Sequence, residues 1–183
     1  MQIAALSASF DRAPQLFASA AAFTDKQTDA RATFLHQVSA VIGTRRRTAE
    51  IRHVLVTLLS FSGARSSWWR AASLDGLAQG LSGSGGGRAL GSSDSLGRAN
   101  LGQDLLLKLF AGADADVRRA SLRALVATGL PQNAAPLLQS AAANAEQLDQ
   151  DPALRADSIG LLTLADPAAC EALFKKLIDP ATT

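Results

Sequence analysis

One short phrase recurs along this chain and narrows what it can fold into. An arginine is followed by apolar residues four and seven positions later: Arg118 with Leu122 and Leu125, Arg155 with Ile159 and Leu162, Arg70 with Leu74 and Leu77, Arg31 with Leu35 and Val38. A worn copy opens the chain, with Gln2 in the arginine slot ahead of Ala4 and Leu6. Steps of four and three keep side chains on one face of an α-helix, whereas a strand would divide them between two faces. The clearest copy is 114–129. There Asp114 suits an N-cap at the positive end of the helix dipole, and Val117, Ala120, Leu122, Leu125 and Val126 fall on or near one face. Gly129 and Pro131 then stop the helix.

The anchor positions lie 29, 39, 48 and 37 residues apart, from Gln2 through Arg31, Arg70 and Arg118 to Arg155. Apart from the short first interval and the long third one, these sit near the roughly 40-residue period of repeated helix pairs. Composition agrees. The 48% hydrophobic content is mostly Ala and Leu, aromatics are 5% and Tyr is absent, which favours close-packed helices over a β-sandwich. The expected fold is all-α, an α-α superhelix of about ten helices forming a single array over residues 1–183. Met1 to Phe10 reads as a second helix without its partner, followed by helices at 15–23, 26–42 (C-capped by Gly43), 48–61 and 68–81. Ser66 and Ser67 are the expected caps of the helix at 68–81. Later helices are expected at 98–111, 114–128, 132–147, 151–164 and 167–178. Between Gly80 and Gly97 the composition turns to Gly and Ser, which reads as an inserted loop centred on 82–97.

Several function classes are excluded or weakened by composition. The single cysteine, Cys170, rules out an intramolecular disulfide and a Cys-rich metal site. No stretch approaches the roughly 18 apolar residues of a membrane span, and the first ten residues lack the basic start of a signal peptide. The net charge of +2 hides an asymmetry. Residues 31–98 carry nine arginines against three acids, a balance of +6, and residues 99–183 carry seven basic and ten acidic side chains, a balance of −3.

The phrase resembles HEAT repeats. In that family the turn between paired helices carries an Asp six residues before the Arg, with Val or Ile just ahead of the Arg. Asp25 with Arg31, Asp149 with Arg155, and Val117-Arg118 match, whereas Gly112 and Ala64 stand in the Asp slots before Arg118 and Arg70. Asp179-Pro180 fits another Asp slot. The phrases Gln2-Ile3-Ala4-Ala5-Leu6-Ser7, Val41-Ile42-Gly43, Trp68-Trp69, the run Leu74 to Leu81 and the segment 148–178 further resemble the HEAT region of large bacterial exported proteins. Those proteins join a dehydrogenase-like β-propeller, HEAT repeats and a c-type cytochrome domain. The resemblance implies a piece of a longer exported or periplasmic protein, but the Cys-x-x-Cys-His haem motif is absent, so no cofactor is carried over.

The candidate contact residues are Trp68, Trp69, Arg45, Arg46, Arg47 and Arg52. Adjacent tryptophans on a helix point about 100° apart, so one is expected to pack and the other either to face a partner or to lie partly buried beneath the Gly-rich loop. The four arginines, with His53, form a basic turn that could meet phosphates, but no aromatic residue interleaves with them. The Gly/Ser stretch lacks the Gly-Lys-Ser/Thr ending of a phosphate loop. His36 and His53 are too far apart in sequence to imply a shared metal, and no Ser–His–Asp set or carboxylate pair is suggested by spacing. The reading is therefore a non-catalytic solenoid that contacts proteins or neighbouring domains and self-associates through incomplete ends at Ile3, Leu6, Phe174 and Leu177. The competing reading is a HEAT-like nucleic-acid-binding or DNA-processing protein that uses Arg45 to Arg52.

Overall fold

The computed structural model describes residues 12–22, 26–83, 101–112 and 114–178. The described residues are all-helical, with no strand: α1 Ala13–Ala21, α2 Asp29–Arg45, α3 Thr48–Leu59, α4 Ala64–Gly83, α5 Gln103–Ala111, α6 Ala115–Thr128, α7 Ala135–Glu146, α8 Pro152–Leu162 and α9 Pro167–Ile178. A 3-10 turn, Gln132–Ala134, leads into α7. The expected helix at Met1 to Phe10, with Ile3 and Leu6, lies outside the described residues. So do Asp25, most of the Gly/Ser stretch and Asp179-Pro180. Helix ends follow local chemistry. Thr28 Oγ1 accepts the Arg31 N–H at 3.3 Å, the Asp151 carboxylate accepts the Ala153 N–H at 3.1 Å, and Gly129 ends α6 at φ 84°. Asp114 holds the N-cap position of α6, but its side chain makes no capping bond.

The chain divides into two compact units, Met1–Gly129 and Leu130–Thr183. In the first, helices pack with their second neighbours: α2 against α4 and α4 against α6 in one row, α1 against α3 and α3 against α5 in the other. Their faces meet over a core that includes Phe17, Leu35, Ile42, Leu55, Leu58, Leu74, Leu77, Leu106 and Leu125. In the second unit α8 and α9 both pack on α7, around Ala141, Ala145, Leu161 and Leu162. Arg155 donates through Nε and Nη2 to the Ala145 carbonyl at 3.3 Å, which closes the last turn of α7, and Lys176 meets Glu146 at 3.2 Å. The buried Cys170 thiol faces the Leu162 carbonyl at 3.8 Å.

The tightest seam in the first unit joins α2 and α4. A Cβ added to Gly76 would collide with the His36 carbonyl, one on Gly80 with the Ala40 carbonyl, and one on Gly43 would come within 2.6 Å of the Leu77 carbonyl oxygen. The helices therefore touch backbone to backbone. This explains one departure from the sequence reading. Gly43 is an interior residue of α2 rather than its cap, because the seam needs a residue without a side chain there. The left-handed cap falls on Arg46, at φ 52°. The helix expected to end at Leu81 runs on to Gly83. Its start is likewise four residues earlier than expected. Ser66 lies inside the first turn, where its hydroxyl donates to the Gly63 carbonyl at 2.9 Å.

The buried stripe of α6 is also narrower than expected. Val117, Ala120, Ser121, Ala124, Leu125 and Thr128 are buried, whereas Leu122 is half-buried and Val126 is 63% exposed. Steps of 100° put Leu122 at the margin of the stripe and Val126 beyond it. Ser121 and Thr128 can occupy the core because their hydroxyls donate to carbonyls four residues back, at 2.7 and 2.9 Å. Leu74 on α4, which packs between α2 and α6, is fully buried.

Two outcomes are expected. Gly80→Ala should destabilise by about 1–3 kcal/mol through forced separation of α2 and α4, whereas Gly83→Ala, with open space at its Cβ, should be neutral or gain up to about 1 kcal/mol from helix propensity. Chemical denaturation of both variants checks the sign reversal. In α6, Leu125→Ala should cost about 2–5 kcal/mol and Val126→Ala less than about 0.5 kcal/mol. Equal losses at the two sites would show that this face is assigned wrongly.

Candidate functional site

The two tryptophans divide as adjacent helical residues must. Trp69 is 1% exposed and meets Phe61 edge-on, with ring centroids 5.2 Å apart. Trp68 is half-buried and lines a groove of about 370 Å³ with Ala71, Ala72 and Asp75 of α4 and Asp116, Arg119 and Arg123 of α6. Arg123 Nε and Nη2 both reach Asp75 Oδ1, at 2.7 and 2.6 Å.

This groove repeats one pattern on two helices. Arg70 and Arg118 are 48 residues apart, and so are Trp68 and Asp116, Ala71 and Arg119, and Asp75 and Arg123. Positions 48 residues apart thus line the same groove, and the Asp75–Arg123 ion pair joins two of them. Sequence reasoning singled out only Trp68 from this set. The available signal was the spacing itself: 68, 71, 72 and 75 form a helical stripe, as do 116, 119 and 123, and the anchor interval superimposes them.

The basic turn is committed to holding α2, α3, α4 and α5 together. The Arg45 side chain is 3% exposed and its Nη2 meets Glu50 Oε1 at 2.9 Å. Arg47 Nη1 approaches the same oxygen at 3.3 Å. Arg46 Nη2 donates to the Leu81 carbonyl at 2.6 Å, which places a cation at the negative end of the α4 dipole. Arg52 Nη1 pairs with Asp104 Oδ1 at 3.2 Å, tying α3 to α5. Each of these four guanidiniums therefore has a carboxylate or carbonyl partner within the chain. The turn and the Trp68 groove are not brought into one site: no residue of the turn lines the groove.

Arg70, one residue beyond Trp69, is 5% exposed. Burial lowers its affinity for the proton from the usual arginine value, and the charge of Asp114 partly restores it. Among the described residues no group of three or more His, Cys, Asp and Glu side chains gathers where a metal could be held, and no helix is long and apolar enough to cross a membrane.

Comparison with family models, curated proteins and solved structures finds no match to this chain.

The ion pairs should rank by burial. Glu50→Gln should cost about 2–3 kcal/mol, because it removes a charged acceptor from the nearly buried Arg45. Asp104→Asn should cost less than about 1 kcal/mol, and that loss should fade in high salt, since both partners of the Arg52–Asp104 pair are well exposed. Denaturation at low and high ionic strength measures both.

Proposed function

We propose that the chain is a non-catalytic α-solenoid module of the HEAT type, which works by holding proteins or neighbouring domains against its helical faces. One observation carries this reading. Helices two apart in sequence pack side by side: Asp75 and Arg123 pair between α4 and α6, and Gly76 meets His36 and Gly80 meets Ala40 between α2 and α4. Stacked helix pairs place every second helix side by side in this way, because each pair buries its apolar face against the next.

The nucleic-acid alternative needs arginines that are available to phosphates. Arg45 is buried against Glu50 and Arg46 is tied to the Leu81 carbonyl, which leaves Arg47 and Arg52 as the well-exposed guanidiniums of the turn's ion pairs. The proposed setting within a larger exported protein with propeller and cytochrome domains rests on the sequence resemblance alone, and the complete reading frame tests it.

Small-angle scattering tests the architecture. The expected pair-distance distribution is asymmetric, with a radius of gyration well above the roughly 16 Å of a compact chain of this length. A symmetric distribution near that value would defeat the solenoid. Titration with duplex DNA at low salt should show no binding that falls steeply as salt rises. A steep slope would move the assignment to the alternative.

A further inference from the structure

We infer that α3 and α4 form a docking face whose partner is the α5–α6 pair of the same chain, and that side-chain contact across this face, rather than residues 84–100, holds the two parts together. The inference concerns the first unit alone and does not depend on what the module binds. Each part finishes its own helix ends. Arg46 Nη2 donates to the Leu81 carbonyl at 2.6 Å, so a residue that follows α2 satisfies an acceptor in the last turn of α4. On the other side, the Gly102 carbonyl accepts from the Leu105 and Leu106 N–H groups at 2.9 and 3.1 Å and starts α5, at a φ of 86° that suits glycine. Gln103 Nε2 then donates to the Thr128 carbonyl at 3.4 Å, which joins the start of α5 to the end of α6.

The face between the parts has an apolar centre and a charged margin. α5 packs on α3 and α6 on α4, with Leu55 and Leu74 on one side and Leu106 and Leu125 on the other all fully buried. Gly102 lies so close to Leu55 that a Cβ there would stand 2.7 Å from Leu55 Cδ1. Two partly exposed ion pairs, Asp75–Arg123 and Arg52–Asp104, also cross from one part to the other. Burial of the leucines drives docking whether or not the chain is continuous, and the ion pairs fix its register. A flexible connection adds effective concentration, of mM order, and no contact of its own. Docking therefore outlasts a cut in that connection.

The test places one recognition sequence for a specific protease between residues 84 and 100 of the whole chain, cuts it, and follows the pieces by gel filtration. They are expected to elute together at ~100 μM, well below the mM effective concentration of a tethered pair. Their melting temperature should depend on concentration after the cut and not before it, as a two-piece assembly requires. Gly102→Ala puts a methyl group against Leu55 in a left-handed turn, and should weaken association of the cut pieces at least about tenfold. Gly83→Ala, at the other edge of the cut stretch and with open space at its Cβ, should leave it unchanged. If uncut Gly102→Ala does not fold, Leu55→Ala removes the other side of the same contact and should weaken association likewise. Pieces that part as soon as the chain is cut would overturn the inference. So would a loss no larger at the Gly102–Leu55 contact than at Gly83, or a folded chain that the protease cannot cut, since the connection itself would then be packed. An elongated particle in scattering would leave each of these outcomes open, so the docking face and the solenoid reading fail separately.

Discussion

The seam between α2 and α4 is the constraint on which the first unit depends. Gly43, Gly76 and Gly80 let two helical backbones touch, and each glycine in a helix interior costs about 1 kcal/mol relative to alanine. Close packing offsets that cost, because backbone atoms within van der Waals range make contacts that no intervening side chain could supply. Once α2 and α4 are this close, their register is fixed to one residue. A slip would drive Leu77 or a neighbouring side chain into a space that holds none.

Register at this seam passes to the rest of the unit. Arg46 can reach the Leu81 carbonyl only because α2 and α4 end side by side, and Arg45 is then drawn against Glu50 at the start of α3. Arg52 continues the chain of ties to Asp104 on α5. The left-handed backbone at Arg46 belongs to this arrangement. A non-glycine residue there costs of order 1 kcal/mol, and the bond from its guanidinium to the end of α4 accounts for an arginine rather than a glycine at that place.

The helical class and most helix positions were legible in the sequence, because the Arg, +4, +7 phrase marks faces directly. All four +7 residues, Val38, Leu77, Leu125 and Leu162, are buried. Of the +4 residues, Leu35 and Leu74 are buried, while Leu122 and Ile159 are half-buried. Periodicity within one helix does not encode what stands opposite each margin of its apolar face. Gly43 reads as a helix end for a related reason. Glycine marks both a helix end and a close helix crossing, and only the partner helix distinguishes the two.

The candidate site was half legible for the same physical cause. A tryptophan pair on a helix announces that one ring must face outward, but not what stands opposite. Asp75 and Arg123 are 48 residues apart, and each is unremarkable on its own helix. They become a pair only when the anchor interval is used as a ruler between helices. Positions 71 and 119 line the same groove with a methyl group on α4 and a guanidinium on α6, a juxtaposition that periodicity within either helix does not show.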